Sequence, residues 1–118
     1  LIVLFWVSAF DMLYALQDLE YDRSVGLYSI PVALGVTGTL WLSRLFHLIT
    51  VGLLVWLILL LGLGIWFWIG CAAMAAMLLY EHWLLRGGDL TKLDAAFFTM
   101  NGYISLTFLA ATAAEIFL

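Results

Sequence analysis

Long apolar stretches constrain this chain more than any other feature of its sequence. A membrane-spanning helix needs about 20 mostly apolar residues, each adding about 1.5 Å of length. Four stretches meet that requirement, at about residues 1–22, 36–61, 65–85 and 95–117. The sequence therefore predicts an all-α fold, a polytopic transmembrane bundle with four membrane-spanning helices in a lipid bilayer.

Composition supports the membrane class and excludes nucleic acid as a partner. Hydrophobic residues make up 67% of the chain and charged residues 10%, against about 45–50% and about 25% in an average soluble domain. Four Lys and Arg side chains are too few for phosphate-backbone contacts. The chain begins inside an apolar run without a basic region or cleavage site, which indicates a piece of a longer protein rather than a signal peptide.

The segments between the apolar stretches contain the turn-forming residues. Residues 23–35 hold Gly26, Gly35 and the single proline, Pro31, and are predicted to form a loop or re-entrant turn. The "GLG" at 62–64 predicts a tight turn, and "RGGDLTKLD" at 86–94 predicts a polar loop. Small residues in "GCAAMAAM" and "AATAA" favour close helix packing in lipid.

The basic residues predict the orientation of the bundle. In an up-and-down arrangement all four fall at the same end, and the opposite connection at 62–66 carries no charge; they are Arg23, Arg44, Arg86 and Lys92. Basic residues near short loops mark the cytoplasmic face. We therefore expect this end of the bundle, with the acidic residues near Arg23, to face the cytoplasm.

Three aspartates follow one side of the first predicted helix. Each residue of an α-helix turns by about 100°, so Asp11 and Asp18 differ by about 20° and Asp18 and Asp22 by about 40°. We call Asp11, Asp18 and Asp22 the acidic stripe. Glu20 lies about 200° from Asp18 and faces elsewhere.

Carboxylates in this pattern point to a hard cation. Asp18 and Asp22 are one helical turn apart, without Cys or His nearby, and such oxygen donors favour Mg²⁺ that is completed by water and substrate phosphates. Asp11 lies two turns deeper, where an ionised side chain costs at least ~2.5 kcal/mol unless it faces a wet cavity. A hydrated helix end without function is the alternative interpretation.

The stretch "DMLYALQDLEYDRSVGLYSIPVALG" closely resembles the second aspartate-rich motif of the UbiA-type membrane prenyltransferases. The positions that match this motif are Asp11, Tyr14, Ala15, Asp18 and Asp22, followed by Gly26 and Ser29 in a Gly-x-x-Ser turn. The later stretches "YEHWLL" and "DLTKLDAAFFTMNGYIS" resemble the 4-hydroxybenzoate polyprenyltransferase-like branch.

The resemblance implies a larger protein around this chain. Members of the family have about nine membrane helices around a cavity, so the chain would be the last four helices, the C-terminal part of one prenyltransferase domain. The remaining N-terminal helices of the same protein would hold the other aspartate motif. We therefore expect the chain alone to be inactive.

The resemblance also implies roles for particular residues. Asp18 and Asp22 would bind Mg²⁺, and Arg23 would bind the diphosphate of a polyprenyl diphosphate. Tyr14 would stabilise an allylic cation, and Asp11 would orient the aromatic acceptor or accept a proton. The implied reaction is aromatic prenyl transfer in quinone biosynthesis, in a membrane of the bacterial inner-membrane type.

One position departs from part of the family and bears on the acceptor. Some members that act in ubiquinone synthesis have a lysine immediately before the motif serine, where this chain has Tyr28. The departure favours an acceptor other than 4-hydroxybenzoate itself, such as one in menaquinone synthesis.

The other polar residues leave alternatives open. His82, beside Glu81, is either an interfacial hydrogen-bonded residue or a ligand for a substrate carboxylate, and His47 is predicted at the membrane interface. Asn101 either bonds a neighbouring helix or lines the cavity. A non-enzymatic membrane protein that conducts protons or cations through the same carboxylates is the rival function.

Overall fold

The structure, a computed structural model, describes residues 1–85 and 99–118, and that part of the chain consists of helices joined by short turns. No strand occurs in those two ranges, so the predicted all-α class is confirmed. The elements are α1 (Ile2–Ala15), a 3₁₀ turn (Leu16–Asp18), α2 (Leu19–Ser24), α3 (Ile30–Leu61), α4 (Ile65–Leu84) and α5 (Met100–Phe117).

Three of the described helical segments are long and apolar enough to cross a membrane, which makes the chain an integral membrane protein. They are Ile2–Ser24, Ile30–Leu61 and Ile65–Leu84. The fourth predicted span, at 95–117, begins in residues outside the described part, and α5 covers 18 residues of it. The count of four spans, and the nine-helix protein around them, stay predictions.

The second predicted helix begins earlier than its sequence suggested. It was expected from about residue 36, after a loop over 23–35, but α3 begins at Ile30. Ser29 is its N-cap, and the Ser29 Oγ accepts a hydrogen bond from the Val32 N–H at 3.3 Å. Pro31 is tolerated in the first turn because the N–H groups there have no partner inside the helix. The proline was therefore a helix-start signal rather than a breaker.

Gly35 leaves a kink in α3 instead of ending the helix. Its φ of 72° and ψ of −178° are not helical, although the helix continues on both sides. This left-handed φ is readily adopted by glycine, because glycine has no Cβ to clash with the backbone. The predicted loop is thus reduced to residues 25–29.

The tight turn predicted at 62–64 is confirmed. Gly62 has a φ of 63° and ends α3, and the Leu63 N–H donates to the Ile58 carbonyl at 3.0 Å. Gly64 begins α4, and its N–H donates a hydrogen bond to the carboxylate of Glu115 near the end of α5. A carboxylate at a helix N-terminus is stabilised by the helix dipole, so Glu115 joins these two helices electrostatically.

Helix α3 occupies the centre of the bundle. One buried cluster joins it to α1 and to the end of α4, through Leu13, Leu16, Leu40, Leu84 and Leu85. A second cluster joins it to α4 and α5, through Leu54, Ile58, Cys71, Met74, Leu78 and Ile104. The Ser43 hydroxyl adds a hydrogen bond to the Ala9 carbonyl at 3.3 Å, across the α1–α3 contact.

Small residues bring α4 and α5 into close contact, as their sequence pattern predicted. A Cβ atom placed on Gly70 would lie 2.5 Å from the Cβ of Ala111, a distance that two carbon atoms cannot occupy. Both residues are buried. The glycine is therefore required by the approach of the two helices.

Replacing Gly70 by leucine should destabilise the bundle by about 1–3 kcal/mol, the usual cost of overpacking a buried contact. The measurement is thermal unfolding of the full-length protein in detergent. Gly52→Leu is the matched control, because Gly52 lies on α3 with nothing within 4 Å of an added Cβ. Equal losses in the two variants would contradict the close α4–α5 contact.

Candidate functional site

The acidic stripe lies on the side of the first helical segment that is not packed against the rest of the described chain. Residues at helical spacing between the acids are buried, namely Ala9, Met12, Leu13, Leu16 and Leu19. Asp11, Tyr14 and Asp18 are exposed, and Asp22 is half-buried. The pattern follows from amphipathicity, because the apolar residues face α3 and leave the carboxylates on the other side.

A 3₁₀ turn interrupts the helix within the stripe. It covers Leu16–Asp18, and the backbone of Asp18 has a φ of −100° and a ψ of 7°. Because a 3₁₀ turn advances by about 120° per residue, Asp11 and Asp18 are offset by about 40° rather than the 20° of a uniform helix. The stripe is broader than predicted, and the sharing of one ion by Asp18 and Asp22 stays a prediction.

The turn after the acids has a defined hydrogen-bond pattern. Gly26 has a φ of 72°, the Leu27 N–H donates to the Asp22 carbonyl at 2.9 Å, and the Gly26 N–H donates to the Arg23 carbonyl at 3.4 Å. This is the Schellman arrangement that ends helices at a left-handed glycine. Gly26 thus ends α2 and Ser29 begins α3, so the Gly-x-x-Ser spacing fixes the chain path immediately after the acids.

Asp11 borders a cleft between α1 and the start of α3. The cleft has a volume of about 310 Å³, and its lining is mostly apolar: Ser8, Asp11, Met12, Ala15, Ile30, Pro31 and Phe46. Arg23 is exposed at the end of α2, and Tyr28 is 98% exposed in the loop that follows. A carboxylate beside an apolar cleft is a suitable place for a small amphipathic molecule.

The donors of the stripe fit a hard divalent cation. Asp18 and Asp22 offer only carboxylate oxygens, and residues 16–24 contain neither His nor Cys. Mg²⁺ binds one or two protein carboxylates and keeps several waters, so it does not need three converging side chains. Within the described residues, the three aspartates do not form a group of three donors around one point, and binding of Mg²⁺ by Asp18 and Asp22 stays a prediction.

The basic residues are described only in part. Arg44 was expected at the start of its helix, at the same end of the bundle as Arg23, but it lies 14 residues after the start of α3. It lines a cleft with His82 and Trp83 at the end of α4. Arg86 and Lys92 fall outside the described residues. The cytoplasmic orientation of the acidic end therefore stays a prediction.

His47 is buried inside the bundle, and its predicted depth at the membrane interface stays a prediction. It is 3% exposed, and its Nδ1 is 2.7 Å from Nε2 of His82. The prediction that His82 is hydrogen-bonded is confirmed, with a partner that was not foreseen. The spacing of the small polar residues was the available signal, since Thr39, Ser43, His47 and Thr50 recur every three or four residues and are all buried.

Asn101 does not support its predicted helix bond. Its side-chain oxygen is buried and has no hydrogen-bond partner within the described part of the chain. The alternative, that Asn101 lines the cavity of a larger protein, stays a prediction.

Comparison with known proteins agrees with the motif. A model of the UbiA prenyltransferase family matches residues 1–104. The chain is 35% identical over 103 residues to a 4-hydroxybenzoate octaprenyltransferase of Idiomarina loihiensis, covering 87% of this chain and 36% of that protein. It is 40% identical over 81 residues to a 4-hydroxybenzoate octaprenyltransferase of Chromohalobacter salexigens, covering 69% and 27%.

A solved structure has the same arrangement of helices. The apo structure of a UbiA homolog from Aeropyrum pernix K1 matches with a TM-score of 0.84 and 28% identity, over 98% of this chain and 40% of that one. The chain spans only about a third of the length of the curated relatives named above. The family model matches most of the length of the chain, and the helix arrangement agrees with that match. The chain therefore belongs to the UbiA prenyltransferase family.

Proposed function

We propose that the full-length protein is an aromatic prenyltransferase that moves a polyprenyl group from its diphosphate to a hydroxybenzoate-like acceptor in quinone biosynthesis. The observation that carries the proposal is the exposed acidic stripe beside the apolar cleft at Asp11, in a chain of the UbiA prenyltransferase family. The relatives are named for transfer of an octaprenyl group to 4-hydroxybenzoate.

The exposed acids and Arg23 would bind the diphosphate end of the donor. Asp18 and Asp22 would supply carboxylate oxygens to Mg²⁺, and the N-terminal helices of the same protein would supply the other ligands. When bound, Mg²⁺ neutralises charge on the leaving diphosphate and so promotes breakage of the allylic C–O bond. Arg23 would donate charge-assisted hydrogen bonds to diphosphate oxygens.

The remaining residues of the motif would act on the organic part of the reaction. The electron pair of the C–O bond leaves with the diphosphate, and a π pair of the acceptor ring forms the new C–C bond. The ring face of Tyr14 would stabilise the allylic cation. Asp11 would orient the acceptor in its cleft or accept the proton that leaves the substituted ring carbon.

The reaction would take place in a membrane. The spans Ile2–Ser24, Ile30–Leu61 and Ile65–Leu84 support insertion in a membrane, where the prenyl tail can lie among the lipid chains. We expect a bacterial inner membrane with the acidic stripe on the cytoplasmic side, because Arg23 directly follows the acids and basic residues near short loops mark that face.

The full-length protein in membranes should transfer a prenyl group to at least one of two aromatic acids, and should release one diphosphate for each transfer. The two acids are 4-hydroxybenzoate, to which the names of the relatives point, and an aromatic acid of menaquinone synthesis, which Tyr28 in place of a lysine favours. Products are measured by mass spectrometry with a long-chain prenyl diphosphate as donor. Proton or cation flux without any prenylated product would instead support the non-enzymatic alternative.

A further inference from the structure

A buried polar cluster lies between α3 and α4, on helices that do not carry the acidic stripe. His47 on α3 and Glu81 and His82 on α4 each offer one donor atom, and the three atoms lie within 4.8 Å of one another. His47 is 3% exposed and Glu81 is fully buried. These residues play no part in the reaction proposed above.

Most side-chain nitrogen and oxygen atoms of this cluster have no hydrogen-bond partner in the described part of the chain. One imidazole donates to the other between His47 Nδ1 and His82 Nε2, at 2.7 Å. The remaining atoms are buried and make no hydrogen bond, namely both carboxylate oxygens of Glu81, Nε2 of His47 and Nδ1 of His82. Buried polar groups are nearly always bonded, so the fully buried and unbonded carboxylate of Glu81 beside two buried imidazoles indicates a missing ligand.

We propose that His47, Glu81 and His82 bind one divalent first-row transition ion of the Zn²⁺ class. Two imidazoles and one carboxylate form the donor set of zinc sites that keep an open fourth position. Nitrogen donors also distinguish this site from the proposed Mg²⁺ site, since Mg²⁺ takes oxygen ligands. The ion would replace the hydrogen bond between Nδ1 of His47 and Nε2 of His82, and the separation of these nitrogens would widen from 2.7 Å to about 3.3 Å around a tetrahedral ion.

His47 and His82 line a cleft between the same two helices, from which a fourth ligand could reach the ion. The cleft has a volume of about 580 Å³ and is lined in part by Arg44, His47, Ala75, His82 and Trp83. The positive charge of Arg44 works against a cation there, and the carboxylate of Glu81 offsets it. The guanidinium of Arg44 also lies over the ring of Trp41, 4.9 Å from its centroid. A bound ion would link α3 to the C-terminal end of α4.

The test is a zinc titration of the full-length protein in detergent, with metal content measured by mass spectrometry after desalting. Wild type should retain about one zinc ion per chain more than Glu81→Gln, with zinc affinity in that variant lower by at least about 100-fold. His47→Asn should show the same loss. Glu20→Gln is the matched control, because Glu20 is exposed and outside the cluster; it should bind zinc as wild type does.

Two further measurements do not depend on activity. Zinc should raise the thermal unfolding midpoint of wild type and Glu20→Gln but not of Glu81→Gln, since an ion stabilises only the protein that binds it. Co²⁺ bound to the wild-type protein should give the visible absorption of a tetrahedral site. This measurement uses only the wild-type protein, so it does not depend on whether a variant folds. Equal zinc content in wild type, Glu81→Gln and His47→Asn, or no cobalt absorption, would overturn the proposal and leave a hydrated polar cluster.

Discussion

Replacing Asp18 by asparagine should slow prenyl transfer by the full-length protein by roughly 10²–10³, the effect of removing one electrostatic group from a transition state. That range corresponds to ~3–4 kcal/mol of lost transition-state stabilisation. The substitution keeps the shape of the side chain and removes its charge, so the bound ion would lose one negative charge among its ligands without a change in packing. Asp18 is exposed, which argues against an effect through the core.

The measurement is prenyl transfer in membranes at saturating Mg²⁺, normalised to the amount of protein. Glu20→Gln serves as the matched control, because Glu20 is also exposed on the same segment and is predicted to lie on the other side of the helix from Asp18. We expect Asp22→Asn to behave like Asp18→Asn. Equal losses at Glu20 and Asp18 would mean that the side of the helix is irrelevant, and the assignment of Asp18 and Asp22 to a metal would have to be withdrawn.

Removing divalent cations should have a larger effect still, a fall in prenyl transfer of at least about 10³-fold, because the leaving diphosphate would then depart without charge neutralisation. The experiment treats membranes with a chelator and restores Mg²⁺ in steps. Asp18→Asn should need more Mg²⁺ than wild type to reach half of its own maximal rate, since one carboxylate ligand is missing.

The buried cluster provides an internal control for this experiment. Glu81→Gln should respond to Mg²⁺ as wild type does, because Glu81 lies on α4 and would bind a transition ion rather than Mg²⁺. Full activity in the presence of the chelator would contradict the proposed dependence on Mg²⁺. If Glu81→Gln changed the Mg²⁺ requirement and Asp18→Asn did not, the Mg²⁺ ligands would lie on α4 and not in the acidic stripe.

The candidate site illustrates how far a sequence pattern reaches. The spacing of Asp11, Asp18 and Asp22 predicted a shared side of one helix, and this stays a prediction, because Glu20 is exposed as well as Asp11 and Asp18. The spacing did not predict the 3₁₀ turn at Leu16–Asp18, because a short change of helix type has no distinct apolar periodicity. The wider angular spread of the three aspartates around the helix follows from the backbone conformation of this turn.

The bounds of α3 show a similar limit. Gly26, Pro31 and Gly35 were interpreted together as a loop, since all three residue types interrupt helices. Their effects differ with position: Gly26 ends α2, Pro31 fits the first turn of α3, and Gly35 leaves a kink. Ser29, the N-cap, was the residue that marked the true start.

By itself, the sequence determined the membrane class, the helical architecture and the family, because long apolar runs permit few alternatives in lipid and the aspartate motif is local in the chain. The tertiary structure alone decided the pairing of His47 with His82, which are 35 residues apart. Their contact depends on the rotation and the axial shift of α3 against α4. Those quantities are set by packing around Leu54, Ile58 and Leu78, which no short stretch of sequence encodes.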